Sequence, residues 1–415
     1  MTESLETICS YRNEKASAAS ITAEDLYVST ESMGPNRGGV SKTASVPSEG
    51  KVSCFRKGDT LVSNIRPYFK KIWKADIDGY CSNDVLVFQP SQRCSADYLY
   101  WLLCDDAFFD YVMATSKGTK MPRGDKSAIM SYAIPSNSEM AQRNIASILA
   151  PIQAKIEMNA KLNGYLEEWG QSLLKNYQES CATTIPLHNV MDFGNGYAFK
   201  SGAYIQSGLY KILTIKNVQD GSVDCSTSNR IDELPPKMKS FCKLQPGNVV
   251  LSLTGNVGRV GIVSEENCLL NQRVAVLQPY NYALLPGLYF HFRQKAFQNE
   301  MIGIAKGTAQ ANLSPVETLK LEMPYNESFL DISQKLKPAF DLILANTIES
   351  KRLTVFRDTL LPKLMSSEID VSKVDLTQLL NSHLPKWRAI CCKFRGIPTY
   401  LPQLQLLSRK HVLEP

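Results

Sequence analysis

The sequence predicts an α+β chain built twice, with two similar globular domains, each followed by a long helix. The first observation is an internal repeat. Residues 57–90, KGDTLVSNIRPYFKKIWKADIDGYCSNDVLVFQP, lie without a gap over residues 246–279, PGNVVLSLTGNVGRVGIVSEENCLLNQRVAVLQP, at an offset of 189. The same offset carries Leu99-Tyr100 onto Leu288-Tyr289, Lys117-Gly118-Thr119 onto Lys306-Gly307-Thr308, and Pro135 onto Pro324. The second observation is a change of period after each copy. Ile145, Leu149, Ile152, Ile156, Asn159, Leu162, Leu166, Trp169 and Leu173 follow spacings of three and four, as do Ile332, Leu336, Ala339, Ile343, Asn346, Leu353, Phe356 and Leu360 apart from one step of seven between Asn346 and Leu353. Such a seam is that of a helix in a coiled coil.

Within the first copy, residues 1–50 read as short strands and turns punctuated by Gly34-Pro35, Gly38-Gly39 and Pro47. A strand starts at Thr60 and breaks before Pro67, and a second runs over Val85–Phe88 to end at Pro90. Residues 95–113 predict one helix capped by Ser95. A helix follows from about 139 to 178, in which Pro151 should make a kink or mark the proper start. The second copy spans about 183–325, and its seam repeats the first at an offset of 187, with Asn159 over Asn346. If the copies are related by a two-fold, the helices run antiparallel and pair as a rod between the domains. The boundaries then fall at 1–138, 139–180, 181–325, 326–365 and an irregular tail, 366–415.

Composition excludes several classes. No run approaches the roughly 20 apolar residues of a membrane span, and the acidic start MTESLE lacks the pattern of a signal peptide, so a cytoplasmic protein is expected. The eleven cysteines contain no Cys-x-x-Cys pair and there are only four histidines, so no metal site is expected and buried free thiols are. Of the net charge of +6, five units fall in residues 372–415, leaving a nearly neutral body.

Catalytic motifs are missing. There is no phosphate loop, no His-Glu-x-x-His and no Gly-x-Ser-x-Gly, and Gly255-x-x-Gly258-x-x-Gly261 reads as turn glycines. No catalytic residue is assigned. Binding is better supported. Between Lys51 and Lys74 seven basic residues face one acidic residue, Asp59, with Tyr68, Phe69 and Trp73 interleaved. We read those three rings as core. The candidate binding residues are Arg66, Lys70, Lys71, Lys117, Lys120, Arg123 and Lys126 in the first copy, and Arg259, Lys306, Gln310 and Asn312 in the second. Lys and Arg there would neutralise phosphates, while Arg, Asn and Gln can read base edges. A solvated charged surface is the alternative.

GDTLVSNIRPYFKKIW, CSNDVLVF, the Lys-Gly-Thr loop, the Gln142-Arg143 start of a long helix and LLPKLMSSEIDV at 360–371 together resemble the specificity subunit of type I restriction–modification enzymes. The resemblance covers about residues 1–371, and it departs at ESFLDISQ (327–334), where a Glu-Gln-like pair is expected at the start of the second helix, and beyond Val371. It implies two target recognition domains, each reading half of a bipartite site in double-stranded DNA. It also implies helices that set the gap and dock two methyltransferase subunits, with restriction and translocase subunits joining the complex. S-adenosylmethionine, ATP and Mg would then belong to those partners and no cofactor to this chain, which would work in the cytoplasm of a bacterium or archaeon. The tail should be dispensable for DNA binding. A protein-assembly scaffold, or a recognition fragment of a fused restriction–methylation enzyme, are the other readings.

Overall fold

The computed structural model describes residues 2–41, 45–307 and 311–371; the expected tail lies almost wholly outside the described residues, as does Gln310. By internal packing the chain forms two compact units. One holds residues 1–151 together with the segment from Asp358 onward, and the other holds Ile152–Arg357.

In the first unit, strand Thr2–Ser4 pairs with Ala133–Pro135, closing the start of the chain onto the end of the domain. A four-stranded antiparallel sheet follows in the order Cys9–Tyr11, Val85–Pro90, Thr60–Ser63, Ile72–Lys74. A second sheet orders Lys15–Ser17, Lys51–Phe55, Gly79–Cys81, Tyr27–Val28. The continuous apolar character of the central strands has a direct cause. Successive side chains point to opposite faces, and both faces are covered. Val62, Leu86 and Phe88 enter a core shared with the helices, while Leu61, Val85 and Val87 enter another with Phe55 and Cys81.

The second unit repeats this build. Its five-stranded sheet has Met191–Asn195, Val274–Pro279, Val249–Ser252, Val260–Ile262 and Gly221–Ser222 in order. Val249, Leu251, Ala275 and Leu277 face the helical core, and Val250, Val274 and Val276 face the other. The strands at 60–63, 79–81, 85–90 and 133–135 recur 189 residues later.

The helix expected over 95–113 is two, Ala96–Cys104 and Asp106–Ala114. Asp105 between them is extended (ψ 138°), and its carboxylate accepts from the Ala107 amide at 3.1 Å, capping the second helix while ending the first. A capping side chain within an apolar run competes with helix continuation. The repeat breaks in the same place, at Gln294 between Leu285–Arg293 and Lys295–Ile304. Ser95 caps as predicted, accepting from the Tyr98 amide at 3.2 Å.

The two long helices are Glu139–Ser180 and Ser328–Met365. The first continues through Pro151, so the proline does not mark its start. Within the second unit the helices run antiparallel. Lys155 pairs with Glu349 at 2.9 Å, Asn159 donates to the Asn346 carbonyl at 3.4 Å, and Asn163 donates to the Ile343 carbonyl at 3.4 Å. Leu166, Leu336, Ala339 and Ile343 are buried along the seam. Phe356 corrects the sequence expectation: it is 49% exposed, and the neighbouring Arg357 is buried instead, donating to Gln153 at 2.6 Å. No described helix is long and apolar enough to cross a membrane.

The helix starts are anchored by different chemistry. Gln142 donates to the Arg93 and Asn137 carbonyls at 3.2 and 3.1 Å. In the second helix Ser333 takes that role, accepting from the Gly287 amide at 3.0 Å and donating to the Ala283 carbonyl at 2.6 Å. The ESFLDISQ start thus keeps the anchor with a shorter side chain.

The nine cysteines among the described residues are free thiols, eight of them buried and Cys181 half-buried. Burial raises Cys9, Cys81 and Cys94 to about 12, which makes them inert at neutral pH.

Candidate nucleic-acid interface

Each unit presents one loop pair built to the same plan. After strand Thr60–Ser63 the chain makes a bridge from Ile65 to Arg123, and Lys117 and Arg123 exchange backbone hydrogen bonds at 2.9 Å in both directions. In the second unit Thr254 bridges Asn312, and Lys306 and Asn312 exchange bonds at 3.0 and 2.8 Å. All of these positions are 189 apart. Ser63 and Ser252 brace the turn alike, donating to the carbonyls of Ile65 and Thr254 at 3.1 and 3.2 Å. Gly118 and Gly307 have φ of +93° and +115°, a conformation that suits glycine and closes the tight loop.

Most of the candidate residues come together on the first loop pair. Arg66 is exposed with φ +50°, and its amide donates to the Pro122 carbonyl at 2.9 Å, tying one loop to the other. Lys117 is exposed and pairs with Asp125 at 2.6 Å; its ammonium, with Ser127 and the Ala128 amide, holds that carboxyl well below the usual range. Arg123 pairs with Asp84 at 3.2 Å and stays more than half exposed. Lys120 and Lys126 are exposed. Lys70, also at φ +50°, pairs with Asp106 at 2.8 Å. Lys71 is turned inward, donating to the Thr30 carbonyl at 2.6 Å, and burial lowers its pKa. In the second loop pair Lys306 and Asn312 are exposed and Arg259 is half-buried, while Asn312 accepts from the Thr254 hydroxyl at 2.7 Å.

Two of the three rings expected in the core lie at the surface. Tyr68 and Phe69 lie on the short turn Pro67–Phe69 and are 48% and 38% exposed, with centroids 4.7 Å apart. They sit beside Arg66 because Pro67 ends the strand and starts the turn. Trp73 is in the core as expected, edge-on to Phe55 at 5.7 Å. Beneath the loops Asn64 is 9% exposed, and its Oδ1 has no partner among the described residues.

Each loop pair therefore carries exposed cations and amide groups on a fixed frame, chemistry suited to phosphates and base edges. Among the described residues no group of three or more His, Cys, Asp or Glu could hold a metal ion. Residues 182–351 match the family model of the type I restriction modification DNA specificity domain. The match falls within the second of the two similarly built units. The chain is 21% identical over 416 residues to the type I restriction enzyme HindI specificity subunit of Haemophilus influenzae, covering 80% of this chain and 90% of that one. The crystal structure of the type I restriction–modification S subunit from M. genitalium matches 88% of this chain and 96% of its own at 17% identity and a TM-score of 0.52, which establishes a shared fold. The chain is thus similar, over most of its length, to specificity subunits of type I restriction–modification systems.

Proposed function

We propose that residues 1–138 and 181–325 are two target recognition domains, each reading one half of a bipartite sequence in double-stranded DNA. Residues 139–180 and 326–365 act as spacers whose length fixes the gap and whose outer faces dock two methyltransferase subunits. Methyl transfer from S-adenosylmethionine and ATP-driven restriction are then the work of partner subunits in the cytoplasm, and this chain supplies the address. The observation that carries this reading is the loop pair built twice, at 65/123 and 254/312, on one backbone frame with different side chains. One frame with two sets of readers is what two unlike half-sites require. Arg66, Lys117, Lys120, Arg123 and Lys126 are proposed as contacts of the first domain; Arg259, Lys306 and Asn312, with Gln310 outside the described residues, are those of the second. Lys70 and Lys71 are proposed to hold the first loop in shape through Asp106 and Thr30.

The test is co-expression with the modification subunits of the same operon, followed by mapping of methylated bases across the host genome. A motif of two short halves around a fixed gap is the expected result. A stable complex that methylates no motif would remove the reading.

A further inference from the structure

Comparing the two loop pairs atom for atom separates what they share from what they exchange. Asn64 donates its amide to the Asp84 carbonyl at 2.8 Å, and Leu253 donates to the Arg273 carbonyl at 2.9 Å. Gly124 donates to the Asn64 carbonyl at 3.3 Å, and Leu313 to the Leu253 carbonyl at 2.7 Å. Positions 84 and 273 therefore occupy one place in the frame, as do 123 and 312. Lysine stands in both copies at 117 and 306, whereas at 84 and 273 the sign of the charge reverses, from Asp to Arg. At 123 and 312 arginine gives way to asparagine.

Both domains would face the same phosphate charge. A position used to clamp phosphate can keep its cation in both copies, as 117 and 306 do. An aspartate cannot clamp phosphate, so the place held by 84 and 273 answers to something that differs between the halves. Arg273 is exposed, and its backbone is left-handed at φ +69°. A non-glycine residue there is held against a steric penalty. Its counterpart Asp84 is spoken for by Arg123, and among the described residues no carboxylate pairs with Arg273.

We infer that Arg273 is a specificity-determining residue of the second domain, presenting its guanidinium to acceptors on a base edge in the second half-site. The inference rests on the DNA-recognition reading above. In the first domain the guanidinium comes from the neighbouring place, at Arg123, where it pairs with Asp84 at 3.2 Å. The two halves are thus read by arginines from neighbouring places on one frame.

The experiment compares the complete complex carrying the wild-type chain, Arg273→Gly, Arg273→Lys or Arg66→Gly, by methylation mapping and by binding to a duplex bearing the mapped motif. Glycine suits the backbone at both positions, so a change in either glycine variant does not arise from strain. Arg273→Gly is expected to weaken binding roughly 5- to 100-fold and to relax the motif in one half only. Lysine, which lacks the two-pronged geometry, is expected to restore little. Arg66→Gly should act on the other half. An unchanged motif with Arg273→Gly, a uniform loss across all sequences, or a change in the same half as Arg66→Gly would each overturn the assignment. A wild-type complex with no bipartite motif would instead remove the underlying reading, and this inference with it.

Discussion

At the scale of single residues, the informative positions are those where backbone and side chain disagree. Arg66 stands at φ +50°, whereas its repeat counterpart, Gly255, holds φ +74° at no steric cost. We expect Arg66→Gly to leave the chain as stable or up to about 1 kcal/mol more stable, because strain is relieved while chain entropy rises in the unfolded state. The same change should weaken DNA binding and relax the first half of the motif. Denaturation midpoints check the first expectation, and duplex binding with methylation mapping checks the second. Glu265 provides a pH test. Burial raises its pKa, but Lys211 at 2.5 Å and Lys351 at 2.6 Å outweigh this, bringing it to about 2 from an ordinary 4.5. A depressed carboxylate stabilises the fold above its unfolded value, and that contribution is lost as pH falls from about 4.5 toward 2. Its full size is at most about 3 kcal/mol. Glu265→Gln should therefore be less stable than wild type at pH 6, with the difference shrinking at pH 3. A difference that stays constant between those two pH values would show that the carboxylate charge is not responsible.

Among elements, the seams were legible because burial imposes a period, and the strands because both faces of each central strand are apolar. What the pattern could not show is where a polar side chain overrides it. Asp105 splits an apolar run into two helices by capping, and Arg357 takes the buried place that spacing gives to Phe356. The exposed rings Tyr68 and Phe69 were missed for a related reason: aromatic residues next to a strand read as core unless the turn at Pro67 is weighed first. Lys71 was grouped with its basic neighbours although its ammonium faces Thr30; sequence alone gives no direction to a side chain. The loop pairs themselves were half legible, since the Lys-Gly-Thr repeat pointed to them but the bridge partners needed the fold. In the helix pair Asn159 is fully buried, donating to Glu349 at 2.9 Å and Ser350 at 3.2 Å and accepting from Lys155 at 2.8 Å. Asn159→Ala should cost about 1–3 kcal/mol by leaving these groups without a partner. Chemical denaturation of the full chain measures it, and a loss below 0.5 kcal/mol would mean that water replaces the amide readily.

For the whole molecule, the two long helices of 42 and 38 residues extend about 63 and 57 Å. Inserting one heptad into each adds roughly 10 Å, or about three base pairs at 3.4 Å each. The methylated motif of such a variant should keep both halves and gain about that much gap; an unaltered gap would show that the helices do not set it. The packing of the first unit has a separate consequence for how the protein is made. Its core joins Ile145 and Leu149 with Leu361, Leu364 and Met365, more than 200 residues further on. A chain leaving the ribosome can form the sheets of this unit early, but it cannot finish the core until nearly all of the described sequence has been synthesised. The second unit, continuous from 152 to 357, is complete before that point. Order of synthesis and order of completion are therefore reversed, and a chain released after Arg357 would have its later unit complete while its earlier unit still exposes an apolar face.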